Sequence, residues 1–577
     1  MRRRGTIEQS CTLREICSIM KFQKRNLYVA FLDCKAAFDR VARPILLQEL
    51  FGEGIRGIMW KVISAMYDNT TALVGFEILK IECGIREGGM SSPTCFNIHF
   101  KPLASKIKSE NAGIKFDVIT VSFLFFADDI ALVSESPIGL QAMLNLIWKH
   151  AQDKHFSFGI KKCRYIKQEW MAEYKPLKFT FGSHELQEAE SPQISGTVKR
   201  KLNEKMFVPT YKYLGISETL DPLNYDFFFY TKRNKFLQRL QKVKVVGGQS
   251  NGLRPKWARQ LYTSQLRPIL EFGSTVFPWS TVYIQKLEVL QLRALKQLFG
   301  FRPKTKNETV RILCGIPSMR CRIAQLKIAA FRKLELFDDD FYLKKLVYFE
   351  CDRDSGLNHD VKTIARHFSD DLEESKELED LIQTFPIDGD SDFETFKCLN
   401  RELLERIDHR IAIDKLKKSC TSGTNQPANV LKLLGRSKIY HLCPILEHSR
   451  VSRCSLSKYL QVLAGCDFIT PFRYDQKPKC RFCRDSEASW KHILFECRKC
   501  EWKLESRIEY SKLHVCTANK LKTSFRNGKV NDLLDLVLML DTDFHYKEDL
   551  KILSSVIAKL ISEIESAWAQ KEDVEDE

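Results

Sequence analysis

Val121-Ser-Phe-Leu-Phe-Phe-Ala-Asp-Asp-Ile-Ala-Leu-Val133 sets two apolar, β-prone runs on either side of a pair of acids, Asp128 and Asp129. Runs of this length with a short polar break predict two strands joined by a tight turn, with the acids at the turn. An Asp-Asp pair alone is most often a solvated turn, so its surroundings decide its reading. Upstream, Leu27-Tyr-Val-Ala-Phe-Leu32 is a third apolar, β-prone run, and it stops at Asp33. Paired strands lie about 4.8 Å apart, so Asp33 and Asp128 can converge if their strands are neighbours.

Carboxylates converging at strand ends suit one chemistry in particular. Transfer of a phosphoryl group to a hydroxyl asks for two divalent cations about 3.5–4 Å apart, clamping the attacking and leaving oxygens. Hard oxygen ligands of this kind select Mg²⁺ or Mn²⁺.

The elements around the acids alternate. Lys35-Ala-Ala-Phe-Asp-Arg-Val41 reads as helix-like, residues 45–67 as helical, and Gly84 to Gly89 as a glycine-rich loop leading through Pro93 into a helix from Cys95 to Ser109. Strands and helices in this order predict an α+β or α/β layer built on one sheet. Beyond Gly215 the pattern turns helical. Between Tyr230 and Lys244, Lys235, Arg239 and Lys242 fall on one helical face and Phe236, Leu240 and Val243 on the other. Further helices are expected from about 281 to 415, with a boundary in the Ser/Thr/Asn/Gly-rich stretch at 421–429; no internal repeat is present.

In their order these motifs resemble the reverse transcriptases of non-LTR (LINE-like) retrotransposons. Phe31-Leu-Asp-Cys-Lys-Ala-Ala-Phe-Asp39 is similar to the family's first catalytic motif, which implies that Asp33 binds both metals and that Phe38 screens the nucleotide sugar. Phe126-Ala-Asp-Asp129 resembles the Tyr/Phe-Ala-Asp-Asp box, implying Asp128 as the other main metal ligand with Asp129 as its companion. Gly84-Ile-Arg-Glu-Gly-Gly-Met-Ser-Ser-Pro93 is similar to the loop that supports template and incoming nucleotide, which assigns nucleotide binding to Arg86, Glu87 and Gly88. The family usually has Gln where this chain has Glu87; a carboxylate there repels a triphosphate and donates no amide hydrogen bond. Phe156-Ser-Phe-Gly-Ile-Lys-Lys162 resembles the motif whose lysine protonates leaving pyrophosphate, here Lys162, with Gly159 in place of the usual Asn. Tyr211-Lys-Tyr-Leu-Gly215 is similar to the primer grip, implying that Tyr213, Leu214 and Gly215 hold the primer end, and the basic helix after it lies where the family's thumb begins.

Near the C-terminus, Cys480, Cys483, His492 and Cys497 have the spacing of a four-ligand set. Thiolates and imidazole in two short pairs suit tetrahedral Zn²⁺ in a small structural site, with Cys500 an alternative to Cys497. The cluster resembles the zinc knuckle that follows the polymerase in many LINE-like proteins. Its flanks carry Lys477, Lys479, Arg481 and Arg484; Phe482, Trp490 and Phe495 are read as packing around the metal rather than stacking on bases.

At 577 residues the chain should divide into several units. The resemblance divides it into a fingers remnant at 1–25, a right-hand palm at 26–218, a helical thumb at 219–310, a helical connecting region at 311–470, the CCHC knuckle at 471–505, and C-terminal helices with an acidic tail at 506–577. A net charge of +18 with pI near 9.0 points to a polyanion, and the acidic stretches 370–394 and 572–577 leave the remaining surface more basic still. Nineteen scattered cysteines do not read as a disulfide framework, and no apolar run reaches membrane-spanning length. A soluble intracellular protein, working in the nucleus, is expected, with RNA template, DNA primer or target and deoxynucleoside triphosphates as partners and no membrane. The chain is expected to begin mid-domain, with an endonuclease and most of the fingers separate or missing. Two activities stay open: an RNA-directed DNA polymerase, or a catalytically impaired retroelement-derived protein that binds nucleic acid.

Overall fold

The computed structural model describes residues 5–421 apart from 87, 118, 171–177, 193–207, 246–252, 350–352 and 369–371, and then 479–486, 488, 492–497, 499, 507–512, 518, 519, 521–523 and 547–570. Two compact units are present: Met1–Tyr230 with Gly273–Pro278 and Ala330–Thr363, and Thr231–Phe272 with Trp279–Ala329 and Ile364–Glu577. The chain returns to the first unit at 273–278 and 330–363.

In chain order the first unit holds α1 (Thr6–Phe22), β1 (Leu27–Asp33), α2 (Arg43–Gly52), α3 (Gly57–Tyr67) and the hairpin β2 (Thr71–Val74) and β3 (Glu77–Lys80). Next come α4 (Ser92–Ser109), the pair β4 (Ile114–Phe116) and β5 (Ile119–Val121), then β6 (Phe123–Phe126), β7 (Asp129–Ser134), α5 (Pro137–Lys154) and β8 (Arg164–Gln168). Two further hairpins follow, β9 (Phe179–Phe181) with β10 (His184–Leu186) and β11 (Tyr211–Tyr213) with β12 (Ile216–Glu218).

The main sheet has the order β6-β7-β1-β8, with β1 antiparallel to both its neighbours. Period-two alternation divides its side chains between two cores. Tyr28, Ala30 and Leu32 of β1, Ile130 and Leu132 of β7 and Phe123 of β6 pack toward α4 and α5. Leu27, Val29, Phe31, Ala131, Val133 and Leu124 face the opposite way, toward α1, Tyr213 and Leu346. A sheet buried on both faces explains why its strands read as continuous apolar runs.

Three readings of local structure are corrected. The run 35–40 is a turn rather than a helix, because Lys35 N–H donates to Ser157 O at 2.8 Å and Ala36 takes φ 50. Residues 45–67 are two helices, broken where Gly54 adopts φ 90. The sheet is also joined by four separate two-stranded pairs, where one sheet was expected.

α1 lies within the first unit's core, buried from Ser10 to Met20. Its two buried charges, Arg14 and Glu15, are met by a segment more than 330 residues later. Arg14 pairs with Asp360 at 2.8 Å, Arg353 with Glu15 at 3.0 Å, and Glu15 also accepts from Leu357 N at 2.7 Å. Gly356, at φ 105, is the backbone that approaches Glu15; a Cβ there would meet its Oε2 at 2.7 Å.

In the second unit, Asp408 accepts from Ser318 N and Oγ, at 3.0 and 2.6 Å, fastening the long helix Asp390–Thr421 to the start of Met319–Arg332. Phe236, Leu240 and Val243 are buried and Lys235, Arg239 and Lys242 exposed, as the periodicity requires. Lys232 is buried too, donating to the carbonyls of Leu270 and Phe272 at 3.1 and 2.7 Å, and burial pulls its ammonium down to about 7. No described helix is long and apolar enough to cross a membrane.

Asp360→Asn strands the buried Arg14 charge. Loss of one partner of a buried pair costs about 3–5 kcal/mol, so denaturant unfolding should show a destabilisation of that order. A midpoint within error of the parent would mean that Arg14 does not depend on this partner.

Candidate active site

The register of β1 against β7 places Asp33 opposite Asp129. Asp128 stands one residue earlier, in the two-residue turn after Ala127, whose φ of 51 is one that Gly or Asn more usually adopts. Three carboxylates therefore crowd one end of the sheet. Burial, and then the charges of Asp128 and Asp33, push the Asp129 carboxyl up to about 6 against the opposing pull of Lys162. Acids repelling one another in a half-buried site are a donor set that a divalent cation would relieve, so the residues present fit Mg²⁺ or Mn²⁺.

Lys162 reaches Asp33, its Nζ lying 3.3 and 3.2 Å from the two carboxylate oxygens. The turn that carries it is bound to the end of β1. Gly159 N–H donates to Asp33 O at 2.8 Å, and Asp33 N–H donates to Cys163 Sγ at 3.4 Å. A Cβ on Gly159 would meet Asp33 Oδ2 at 2.8 Å, so a residue lacking one lets the carboxylate lie against this turn. Burial pushes the Cys163 thiol up to about 11, keeping it a neutral backing for Asp33.

Phe38 stacks on Phe96 of α4, ring centroids 4.6 Å apart, and its carbonyl accepts from Ile85 N at 2.8 Å. The glycine loop thus meets the turn that follows Asp33. Gly84, at φ 86, packs so closely that a Cβ would meet Asp39 O at 2.7 Å, and Arg43 Nε holds Gly84 O at 2.9 Å. Arg86 and Gly88 are exposed, whereas Glu87 lies outside the described residues.

Leu214 and Gly215 form the two-residue turn between β11 and β12, both at positive φ (48 and 86), as a type I′ hairpin requires. Tyr213 donates to Leu124 O at 3.4 Å, and Tyr211 stacks on Phe31 at 4.4 Å, so this hairpin lies on the sheet that bears the acids. Arg43, Cys163 and Tyr211 complete the surroundings and were not singled out from sequence. Cys163 directly follows Lys162, but its neighbour across the fold is not readable from that position.

This geometry has a counterpart in known proteins. The family described as "Reverse transcriptase (RNA-dependent DNA polymerase)" matches residues 5–217, which hold all of the elements just described. Residues 5–217 form a reverse transcriptase domain. A Retrovirus-related Pol polyprotein from type-1 retrotransposable element R2 of Nasonia vitripennis is 27% identical over 32% of this chain and 19% of its own length. Its namesake from Popillia japonica is 22% identical over 55% of this chain and 51% of its own. The RNA-directed DNA polymerase from mobile element jockey of Drosophila melanogaster is 24% identical over 47% of this chain and 28% of its own. These relatives place the reverse transcriptase domain in the LINE-like group, and the chain spans from a fifth to about half of the lengths of those it matches.

Outside the reverse transcriptase domain, Cys480, Cys483, His492 and Cys497 come together, with their four ligand atoms all within 4.8 Å of one another. Cys480 Sγ lies 3.9 Å from Cys497 Sγ, and Cys483 Sγ 3.3 Å from His492 Nε2. Tetrahedral zinc with Zn–S of about 2.3 Å would set ligand atoms about 3.8 Å apart, so the cluster fits that ion. Against the desolvation that would raise it, backbone N–H groups of Asp485 and Ser486 and the His492 ring pull the Cys483 thiol down to about 6. Phe482 is buried, in keeping with packing; Lys477, Trp490 and Cys500 lie outside the described residues.

Glu218 on β12 is fully buried, and burial pushes its carboxyl up to about 8 even though Tyr225 donates to it. The folded chain therefore holds a proton there that the unfolded chain releases near pH 4.5. Stability should fall as pH rises between about 4.5 and 8, by up to about 1.4 kcal/mol per pH unit, and Glu218→Gln should flatten that slope. Unfolding free energies across the window measure it, and equal slopes in both proteins would remove the assignment. Elemental analysis of unchelated protein should give one zinc per chain and markedly less for Cys480→Ser; a zinc content near zero in the parent would dismiss the metal.

Proposed function

We infer that the chain is an RNA-directed DNA polymerase of a LINE-like element, extending a DNA 3′ end on an RNA template by two-metal nucleotidyl transfer. The single observation that carries this reading is the Asp33–Asp129 register, which gathers three acids at one sheet end inside a reverse transcriptase domain. Asp33 and Asp128 serve as the principal metal ligands and Asp129 as their companion. Held by these carboxylates, Mg²⁺ or Mn²⁺ would neutralise charge that develops during nucleotidyl transfer.

The protein's own residues do the rest. Lys162, already against Asp33, is the donor of the proton that leaves with pyrophosphate. Phe38, backed by Phe96, screens the sugar, while Arg86, Glu87 and Gly88 belong to the loop that meets the incoming nucleotide. Leu214 and Gly215, at the turn of the hairpin, meet the primer strand, and Tyr213, buried beneath them against Phe31 and Leu124, positions that turn. The palm spans 26–218, the thumb begins at 219, and the Cys₃His knuckle, with Lys479 and Arg481 beside it, contacts nucleic acid. An element that copies itself into chromosomal DNA works in the nucleus, and that is the location proposed for this chain.

Purified protein with Mg²⁺ or Mn²⁺ should extend a DNA primer on an RNA template. Asp128→Asn should lower that rate by about 100-fold or more while leaving the fold intact. Absence of extension by a folded, template-binding sample would leave the nucleic-acid-binding reading in its place.

A further inference from the structure

The loop assigned to the incoming nucleotide has few ties of its own. Arg86, Gly88, Met90 and Ser91 are exposed, and the loop's backbone is closed by Gly89 N–H donating to Arg86 O at 3.3 Å and Ser92 N–H donating to Gly89 O at 3.1 Å. A segment of this kind takes its position from the scaffold at its two ends.

Both ends are gripped from one place. At the first, Arg43, buried at the start of α2, donates through Nε to Gly84 O at 2.9 Å. Its Nη1 reaches Tyr67 O at 3.0 Å, Thr70 Oγ1 at 2.6 Å and Ile81 O at 2.6 Å. Tyr67 and Thr70 precede β2 and Ile81 follows β3, so a single guanidinium fastens both legs of that hairpin to the entry of the loop. At the second end, the same guanidinium lies over the Tyr67 ring, 5.3 Å from its centroid. The hydroxyl of that ring lies beside Ser92, whose Oγ donates to Arg86 O at 2.6 Å. Tyr67 and Ser92 are buried as well.

The arrangement requires an arginine. All four acceptors are neutral oxygens, and among the described residues no carboxylate pairs with Arg43, so its work is to join backbone segments rather than to neutralise an acid. Burying such a cation is costly, and bonds to carbonyls offset that cost only where the donors and acceptors match in geometry. A guanidinium spreads its donors over a planar fork, one arm here on the loop and the other on the hairpin. A lysine ammonium offers its donors from a single point and cannot serve both.

We propose that Arg43 and Tyr67 form a brace that positions the incoming nucleotide: they touch no substrate, but they set the two ends of the 84–92 loop and through it Arg86 and Gly88. The inference rests on the reading of that loop as the nucleotide-binding one and adds what holds it in place.

The test uses the full chain in two assays. In primer extension on an RNA template, Arg43→Lys should raise KM for deoxynucleoside triphosphates about 10-fold and leave kcat within about 2-fold, because a displaced loop weakens nucleotide binding while the acids keep their places. Tyr67→Phe, which keeps the ring beneath Arg43 and removes the hydroxyl beside Ser92, should raise KM about 3-fold, and it is read alone if Arg43→Lys does not fold. A residue needed only for folding would instead lower the active fraction, and with it kcat, at unchanged KM. Hydrogen exchange needs no activity. There the Gly84, Ile85 and Gly89 amides should exchange about 10-fold faster in Arg43→Lys, and Gly89 in particular in Tyr67→Phe, while the amides of α5 keep the parent's rate. Unchanged KM in both variants, a fall in kcat alone, or unchanged exchange at these amides would overturn the proposal. A parent that extends nothing while Arg43→Lys still frees these amides sinks the polymerase reading and leaves the brace standing. A parent that extends primers while both variants match it in KM and exchange refutes the brace alone.

Discussion

The antiparallel pairing of β1 with β7 is the constraint on which the first unit depends. Because side chains alternate faces, this register sends Tyr28, Ala30 and Leu32 to one core and Val29 and Phe31 to the other, and at its end it sets Asp33 against Asp129. A slip of one residue would turn every apolar side chain of β1 to the wrong face and separate the acids. Core packing and the metal-binding geometry are therefore specified by the same hydrogen-bonded ladder.

Crowding three carboxylates is unfavourable, and the surrounding structure shows how it is borne. Lys162 offsets part of the charge at Asp33, and Cys163 and Gly159 fix the β1 end from behind. On the far face, Phe31 is clamped by Tyr211 and Tyr213, so the hairpin at 211–218 is positioned by the strand that carries Asp33. α1 supports that face in turn, and its buried charges Arg14 and Glu15 are paired with Asp360 and Arg353 of the segment 353–360. Residues far beyond 217, where the match to the reverse transcriptase family ends, thus complete the core of the domain.

The zinc-type cluster follows a different logic. Its four donors are set by tight local turns, as when Cys480 N–H donates to Ser486 O at 2.8 Å and Arg484 N–H to Cys480 O at 2.7 Å. Spacing along the chain is enough to predict such a site, because each pair of ligands lies within one turn.

The sequence by itself determined the three main strands, a tight turn at the acids, the donors of the Cys₃His cluster and the amphipathic helix at 230–244, although the turn is Ala127 and Asp128 and Asp129 already belongs to β7. Each rests on short-range periodicity or spacing. It misread 35–41 as helical, because its alternation of small, apolar and charged residues suits a helix, while the bond from Lys35 to Ser157 that makes it a turn comes from 122 residues away. Only the tertiary structure decided that Asp33 faces Asp129, that Arg14 meets Asp360 and that Cys163 backs Asp33. Those relations join residues distant in the chain through strand register and packing, and no local pattern records which distant partner a buried face will find.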